Sequence, residues 1–289
     1  MRSFRHFVAI DWSGEAVARP KGLAVALASR GDAAPVLLRP ERSWSRQSIL
    51  DGLLAYADAR ADVLIGVDLS PGFPFADEGA YFPGNHDDLR DAKQLWRRVD
   101  AACVDDDHLS VGSFVADAAI GRHFRQQHET GDLFAPGRGR LRATEQAQRA
   151  MRLSPSSCFN LVGAAQVGKS SLSGMRVLHR LGGRIPVWPF DPIPEEGPLI
   201  VEIYTSIAAR AAGLPPGRSK MRDGEALDAA LAMLGSRPHA RLPRYDDHAT
   251  DAILTAAWLR SVADDPALWS PAGLTPAIAA TEGWTFGVP

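Results

Sequence analysis

The N-terminal part of the chain alternates between short apolar runs and turns that are rich in glycine and aspartate. Three runs, FVAID (residues 7–11), GLAVALA (22–28) and APVLLRP (34–40), predict strands joined as antiparallel hairpins. The next segment, SRQSILDGLLAYADARA (45–61), repeats its apolar residues on one helical face. DVLIGVD (62–68) is a continuous apolar run, as expected of a central buried strand. The pattern therefore predicts the order β-β-β-α-β.

The middle of the chain loses this regularity. DLRDAKQLWRRVDAACV (88–104) and VGSFVADAAIGRHFRQQ (111–127) predict helices, whereas APGRGRLR (135–142) predicts a mobile loop because of its glycine and proline. We interpret the chain as one domain over residues 1–289 that carries a helical insertion at about 72–190.

The C-terminal third returns to clear patterns. PLIVEIY (198–204) predicts another buried strand, and TSIAARAAG (205–213) predicts a short helix that ends at its glycine. GEALDAALAMLG (224–235) and DDHATDAILTAAWLRSVAD (246–264) predict further helices. The fold class is thus α/β, with three antiparallel strands followed by parallel strands and with flanking helices.

Composition excludes several classes of protein. The chain has 289 residues, 45% hydrophobic and 23% charged, as in a soluble globular protein. Its two cysteines form no CxxC motif, so a zinc ribbon or a disulfide framework is excluded. No apolar run approaches the length of a membrane span, so no membrane partner is expected. The first residues lead directly into a strand pattern without room for a signal sequence, so a cytoplasmic location is expected.

The net charge of −2 does not indicate a polyanionic partner, but the charge distribution is uneven. Residues 121–152 contain seven arginines against Glu129, Asp132 and Glu145. Such a local excess can bind nucleic acid, although a solvated surface explains it equally simply.

Two aspartates end predicted strands, Asp11 after the first strand and Asp68 after the central one. The carboxyl ends of strands are where open α/β sheets bind ligands. Aspartate also starts turns and caps helices, so each position has a purely structural alternative.

A third acidic position is harder to explain structurally. Asp247, His248 and Asp251 are neighbours on the predicted helix 246–264, which is apolar almost all round and therefore buried. An N-cap accounts for one acid at the start of this helix, but not for Asp251. Two or three carboxylates at one site suit a hard divalent cation, Mg²⁺ or Mn²⁺. His248 is a candidate ligand or proton carrier.

The pattern of these motifs resembles a known superfamily. The β-β-β-α-β start, the two strand-end aspartates and the late H-x-x-D helix resemble ribonuclease-H-like proteins, the helix being closest to the Holliday-junction resolvase branch. IDWSG, GVDLSPGFP, VGAAQVG, SGM, VWPFD, VEIYTS and DDHATDA together are similar to the family filed as domain of unknown function 429, which is described as predicted ribonuclease-H-like nucleases.

This resemblance implies a ribonuclease-H-like mixed sheet and assigns metal binding to Asp11, Asp68 and Asp251. A fourth acidic group of the superfamily would be Glu202 or Asp247. The superfamily often has glutamate where this chain has Asp68.

GAAQVGKSS (163–171) spells G-x-x-x-x-G-K-S, the phosphate loop of P-loop NTPases. A P-loop domain normally begins its parallel βα units at this motif, whereas here the strong strands come earlier. We therefore expect a loop that edges the active site, in which Gly168, Lys169 and Ser170, together with Ser13 of IDWSG, contact the substrate. The alternative is that this segment only starts a helix.

The leading functional prediction is a metal-dependent nuclease that hydrolyses phosphodiester bonds, with nucleic acid or a small phosphoester as substrate. Arg138 and Arg140 are further candidates for contacting substrate phosphate. One alternative is a phosphotransferase or ATP-binding protein of the sugar-kinase-like or P-loop type. Another is a non-catalytic ribonuclease-H-like binding module.

Overall fold

A six-stranded mixed sheet forms the centre of the protein in a computed structural model, which describes residues 2–39, 43–85, 88–163, 167–215 and 220–289. The strands are β1 (His6–Asp11), β2 (Ala24–Ser29), β3 (Val36–Leu38), β4 (Val63–Val67), β5 (Val187–Trp188) and β6 (Leu199–Glu202).

The strand order across the sheet is β3-β2-β1-β4-β6-β5. β1, β2 and β3 pair antiparallel, whereas β4 pairs parallel with β1 and β6, and β5 pairs parallel with β6. The predicted α/β class, with antiparallel strands followed by parallel ones, is confirmed. Because β1, β4 and β6 are adjacent and parallel, their carboxyl ends share one edge of the sheet.

Helices cover both faces of this sheet. They are α1 (Arg46–Asp58), α2 (Ala92–Ala102), α3 (Gly112–Ala116), α4 (Ala143–Ala150), α5 (Val167–Arg180), α6 (Thr205–Ala211), α7 (Gly224–Met233), α8 (Asp247–Val262) and α9 (Pro276–Thr281). Within the described ranges, no helix combines the length and the apolarity that a membrane crossing requires.

Alternation along β1 divides the core into two layers. Val8 and Ile10 pack in the layer that contains α1, α2 and α5, whereas Phe7 and Ala9 pack in the layer that contains α6, α7 and α8. Gly66 lets α8 approach β4 closely, because a Cβ there would meet Leu259 Cδ1 at 2.8 Å.

α8 is the buried helix that its sequence predicted. Every residue from Ala252 to Leu259 is buried, and α8 packs against β1 and β2. Asp246 caps the helix by accepting a hydrogen bond from the amide of Ala249 at 3.0 Å. Its first turn therefore lies beside the carboxyl end of β1.

The predicted helix over residues 111–127 is wrong for most of its length. The α-helix there, α3, ends at Ala116, and a 3-10 turn follows at residues 121–123. The Asp117 carboxylate accepts hydrogen bonds from the amides of Ala119 and Ile120, at 2.9 and 3.0 Å. Aspartate often competes with helical hydrogen bonding in this way, and here it ends the helix.

The connection between β4 and β5 contains α2, α3, α4 and α5, at the place predicted for the helical insertion. α2 packs against α5. Trp12, directly after β1, donates a hydrogen bond from Nε1 to Ser173 Oγ at 3.1 Å. This contact ties the connection to the sheet edge where the predicted site residues lie.

Candidate functional site

A cavity of about 540 Å³ opens at the shared carboxyl ends of β1, β4 and β6. Asp68, directly after β4, and Glu202, the last residue of β6, line it together with His248 of α8. Ser13 from the β1–β2 connection and Ser170 from the first turn of α5 line its other sides. The sheet thus brings together residues that are far apart in the sequence.

Asp11 ends β1 and is buried, and its carboxylate contacts His248. His248 Nδ1 lies 2.7 Å from Asp11 Oδ2. A carboxylate accepts hydrogen bonds, so Nδ1 carries the proton and Nε2 is left for another partner. Burial raises the pKa of Asp11, while the hydrogen bond from His248 opposes the rise. The same hydrogen bond raises the pKa of His248, despite partial burial of the ring.

Asp68 lies at the centre of the acidic residues. Its pKa is raised well above the ordinary range, first by burial and then by the charges of Asp11, Asp251 and Glu202. The hydroxyl of Thr205 donates a hydrogen bond that opposes this rise. Among the described residues, no lysine or arginine forms an ion pair with Asp68.

Asp251 lies one turn into α8 and faces the same acids. Burial raises its pKa to about 7, and the charges of Asp11 and Asp247 add to the rise, whereas His248 and Lys220 oppose it. Within the described ranges, Asp251 also forms no ion pair with lysine or arginine. We call Asp11, Asp68 and Asp251 the aspartate set.

Glu202 is also buried, but its charge is neutralised within the protein. Arg142, which is completely buried, donates two hydrogen bonds to the Glu202 carboxylate at 2.8 and 2.6 Å. Thr285 Oγ1 donates a third at 2.7 Å, and Arg142 also pairs with Glu145 at 2.7 Å. We call Arg142, Glu145, Glu202 and Thr285 the Arg142 network.

Asp247, the other candidate for a fourth acid, is held by two cations. Lys220 Nζ lies 2.5 Å from Asp247 Oδ2, and Arg222 Nη1 lies 2.8 Å from Oδ1. The charge of Asp247 is therefore balanced by Lys220 and Arg222. Asp251, one turn further along the helix, forms no such ion pair within the described ranges.

The GAAQVGKSS segment only partly lies in the described chain, because residues 164–166 fall outside it. α5 begins at Val167, so Gly168, Lys169 and Ser170 belong to its first turn. A Cβ on Gly14 would lie 2.3 Å from both the carbonyl carbon of Lys169 and the amide of Ser170. The backbone beside Ser13 therefore lies directly against the first turn of α5.

The amide of Gly168 donates a hydrogen bond to the carbonyl of Asn160 at 3.2 Å. The strand that a P-loop requires before its glycine loop is absent from residues 158–162, which form only an isolated bridge between Asn160 and Arg125. Lys169 is not among the residues that line the cavity.

Arg138 and Arg140 also lie outside the cavity lining. Arg138 is exposed. Arg140 pairs with Asp77 at 2.5 Å and donates to the carbonyls of Tyr81 and Ala80, at 2.8 and 2.9 Å. Its guanidinium is therefore engaged in holding the loop at Ala80 and Tyr81.

The aspartate set has the donor chemistry of a Mg²⁺ or Mn²⁺ site, because all its ligand atoms are carboxylate oxygens. Among the described residues, no group of three or more His, Cys, Asp or Glu side chains is gathered closely enough to hold one metal ion. Mg²⁺ commonly binds through one or two carboxylates and keeps several waters. The described residues therefore supply carboxylate oxygens at this edge of the sheet but no cage of three protein ligands.

Sequence reasoning missed the role of Arg142 and the position of Lys21. Lys21 lines the mouth of the cavity and is exposed. Arg142 reaches Glu202, which is 60 residues away in the sequence. No local sequence pattern predicts a contact between residues so far apart. Lys21, in contrast, lies in the connection between β1 and β2 that begins with the WSG of IDWSG, so that motif could have drawn attention to it.

Comparison with protein-family models, with curated proteins and with solved structures found no match to this chain. The resemblance described from the sequence motifs therefore stays a prediction.

Proposed function

We propose that the protein is a metal-dependent hydrolase of phosphodiester bonds, with its active site at the aspartate set. The observation that carries this proposal is the environment of Asp68. Its carboxylate faces Asp11, Asp251 and Glu202, and within the described chain it receives a hydrogen bond from Thr205 but no ion pair. Such an arrangement costs free energy that a proton or a bound cation relieves.

Two carboxylates of the aspartate set, those of Asp68 and Asp251, would hold the cation, with water completing its shell. A divalent cation bound there would supply Lewis-acid polarisation of the phosphate and stabilise the charge that develops on the leaving oxygen. The cavity in front of Asp68 gives the substrate phosphate access to this position.

The position of His248 in the cavity and its contact with Asp11 support a role for this residue in proton transfer. Its ring lines the cavity, and Asp11 fixes its orientation through Nδ1. During hydrolysis a bond forms from the water oxygen to phosphorus, the proton that this water loses passes to bulk solvent, and the bond from phosphorus to the leaving oxygen breaks. Nε2 would donate a proton to that leaving oxygen, since the raised pKa of His248, caused first by the Asp11 hydrogen bond, favours the protonated ring.

The P-loop alternative lacks support, because the segment before α5 is not a strand of the sheet. No described residue of the cavity distinguishes a sugar-kinase-like phosphotransferase from a hydrolase. We prefer hydrolysis because IDWSG, GVDLSPGFP and DDHATDA resemble a family described as predicted nucleases.

The experiment is incubation of the protein with labelled DNA and RNA oligonucleotides, single-stranded and duplex, in Mn²⁺ or Mg²⁺. We expect cleavage that chelation prevents and that Asp68→Asn abolishes, while the matched variant Glu202→Gln retains part of it. Equal cleavage by wild type and Asp68→Asn would contradict the proposal, as would the absence of cleavage of every oligonucleotide.

A further inference from the structure

None of the seven arginines of residues 121–152 lines the cavity. Arg122 pairs with Asp132 at 2.6 Å, Arg140 with Asp77 and Arg142 with Glu202, and the other four are exposed. A polyanionic substrate of the proposed hydrolase therefore needs cations from another part of the protein.

Lys21 provides one such cation at the mouth of the cavity. It is exposed, and no carboxylate of the described residues forms an ion pair with it. The next residue, Gly22, lies against the site, because a Cβ there would meet His248 Cε1 and Ser13 Cβ at 3.1 Å each. Lys21 is thus positioned beside the histidine proposed to transfer a proton.

Lys220 and Arg222 provide two more cations beside the same histidine. Their side chains are 64% and 60% exposed, and both contact Asp247, which directly precedes His248. Met221 between them is 2% exposed and packs in the core, so it fixes the backbone from which both cations project.

Asp247 competes with a substrate phosphate for these two cations. The cations are exposed, whereas the Asp247 side chain is only 23% exposed, so solvent screens the ion pairs from the cation side alone. Exposed Lys220 and Arg222 can therefore contact a phosphate from the solvent side. The carboxylate also repels a phosphate that approaches, so it opposes binding.

We propose that Lys21, Lys220 and Arg222, which we call the cation rim, bind the backbone phosphates of a single-stranded nucleic acid beside the scissile phosphate, and that Asp247 competes with those phosphates for Lys220 and Arg222. This inference rests on the proposed function. A single strand bends readily into a concave site, whereas bending a duplex costs free energy.

The test is fluorescence anisotropy with labelled oligodeoxythymidine, oligouridine and a DNA duplex of the same length in EDTA, where no metal-dependent cleavage can occur. The triple variant Lys21→Ala, Lys220→Ala, Arg222→Ala should weaken binding. It should also reduce the slope of log K against log[salt] by about 2, since each phosphate contact on a single strand contributes about 0.7. The matched control, Arg60→Ala, Arg90→Ala, Arg237→Ala, removes three exposed charges whose carboxylate partners are Glu196, Asp88 and Asp32 rather than Asp247, and it should leave the slope unchanged.

Asp247→Asn should tighten binding roughly three- to fivefold, because it removes the competing carboxylate. Binding that is unchanged or weaker in this variant would overturn the competition. A triple variant with the wild-type salt slope, or wild type that binds a duplex more tightly than a single strand, would overturn the cation rim.

The two proposals fail separately. Binding that depends on the cation rim without any metal-dependent cleavage would contradict only the proposed hydrolase. Cleavage by an enzyme whose triple variant binds oligonucleotide like wild type would contradict only the cation rim.

Discussion

Two groups of acidic side chains meet at the same cavity, and they differ in how their charge is balanced. In the Arg142 network, Glu202 receives two hydrogen bonds from a buried arginine and one from Thr285. In the aspartate set, Asp68 receives a hydrogen bond from Thr205 while the neighbouring carboxylates raise its pKa beyond the effect of burial. Asp68 and Glu202, one from each group, both lie at the carboxyl ends of parallel strands, so position at the sheet edge does not explain the difference.

The comparison separates structural acids from candidate functional ones. A buried carboxylate that has its own arginine stabilises the fold and needs nothing from solution. Carboxylates that repel one another without such a partner are stabilised by a proton or a cation. Removing a carboxylate charge should therefore lower the stability of the protein in the Arg142 network and raise it in the aspartate set.

The largest effect is expected from Arg142→Met, which removes the cation of the Arg142 network. Glu145 and Glu202 would remain buried without it, and breaking a buried ion pair costs about 3–5 kcal/mol. Urea unfolding followed by circular dichroism measures this loss, and Arg138→Met serves as an exposed control with an unchanged midpoint. An equal midpoint in both variants would contradict the structural role of the network.

Glu202→Gln should destabilise the protein by about 1–3 kcal/mol, because Arg142 and Thr285 lose a charged acceptor. The amide still accepts one hydrogen bond, so the loss is smaller than for Arg142→Met. Urea unfolding followed by circular dichroism measures this loss of stability as well. A stability gain in this variant would show that Glu202 belongs with the aspartate set.

Asp68→Asn makes the same chemical change in the other group and should have the opposite sign. Without divalent metal, the variant should be more stable than wild type by about 1 kcal/mol, because repulsion with Asp11 and Asp251 is removed. Asn can keep the hydrogen bond with Thr205. A loss of stability of the size expected for Glu202→Gln would mean that Asp68 is a structural partner.

The pH dependence of stability should distinguish the two groups more finely. The pKa of Asp251 is about 7 in the folded protein, against an ordinary value near 3.8, because of burial and then the charges of Asp11 and Asp247. Between these values the folded state binds more protons than the unfolded state, so this group lowers the unfolding free energy as pH rises from about 4 to 7. One proton limits the slope to about 1.4 kcal/mol per pH unit.

The measurement is the unfolding free energy of metal-free wild type and Asp251→Asn at several pH values between 4 and 8. The unfolding free energy of Asp251→Asn minus that of wild type should increase as pH rises from about 4 to 7 and should then stay constant. A difference that is constant with pH would contradict the raised pKa of Asp251.

Much of the fold could be predicted from the sequence, because the strongest signals are local. The apolar runs of β1, β4 and β6 and the apolar helix α8 carry their own periodicity. β5 was not predicted, since two residues carry no pattern. The helix expected at 111–127 was wrong because the carboxylate of Asp117 competes for backbone amides, which propensity alone does not reveal.

The candidate site was predictable only in part. Asp11 and Asp68 follow from their places at the ends of predicted strands, whereas Glu202 was named only through the family resemblance, inside the predicted strand 198–204. Parallel pairing brings the three carboxylates to one edge of the sheet. Their difference in charge balance does not follow, because Arg142 lies in a segment that resembles a mobile loop in the sequence. Packing across long sequence separations decides which acid receives a cation.

The most direct test of the central claim is a calorimetric titration of Mn²⁺ into wild type, Asp68→Asn and Glu202→Gln at pH 7. The account predicts saturable binding to wild type with proton release, since raised carboxyl pKa values mean that metal displaces protons. It also predicts loss of binding in Asp68→Asn and retained binding in Glu202→Gln. Absence of saturable binding to wild type, or binding that survives Asp68→Asn unchanged, would contradict it.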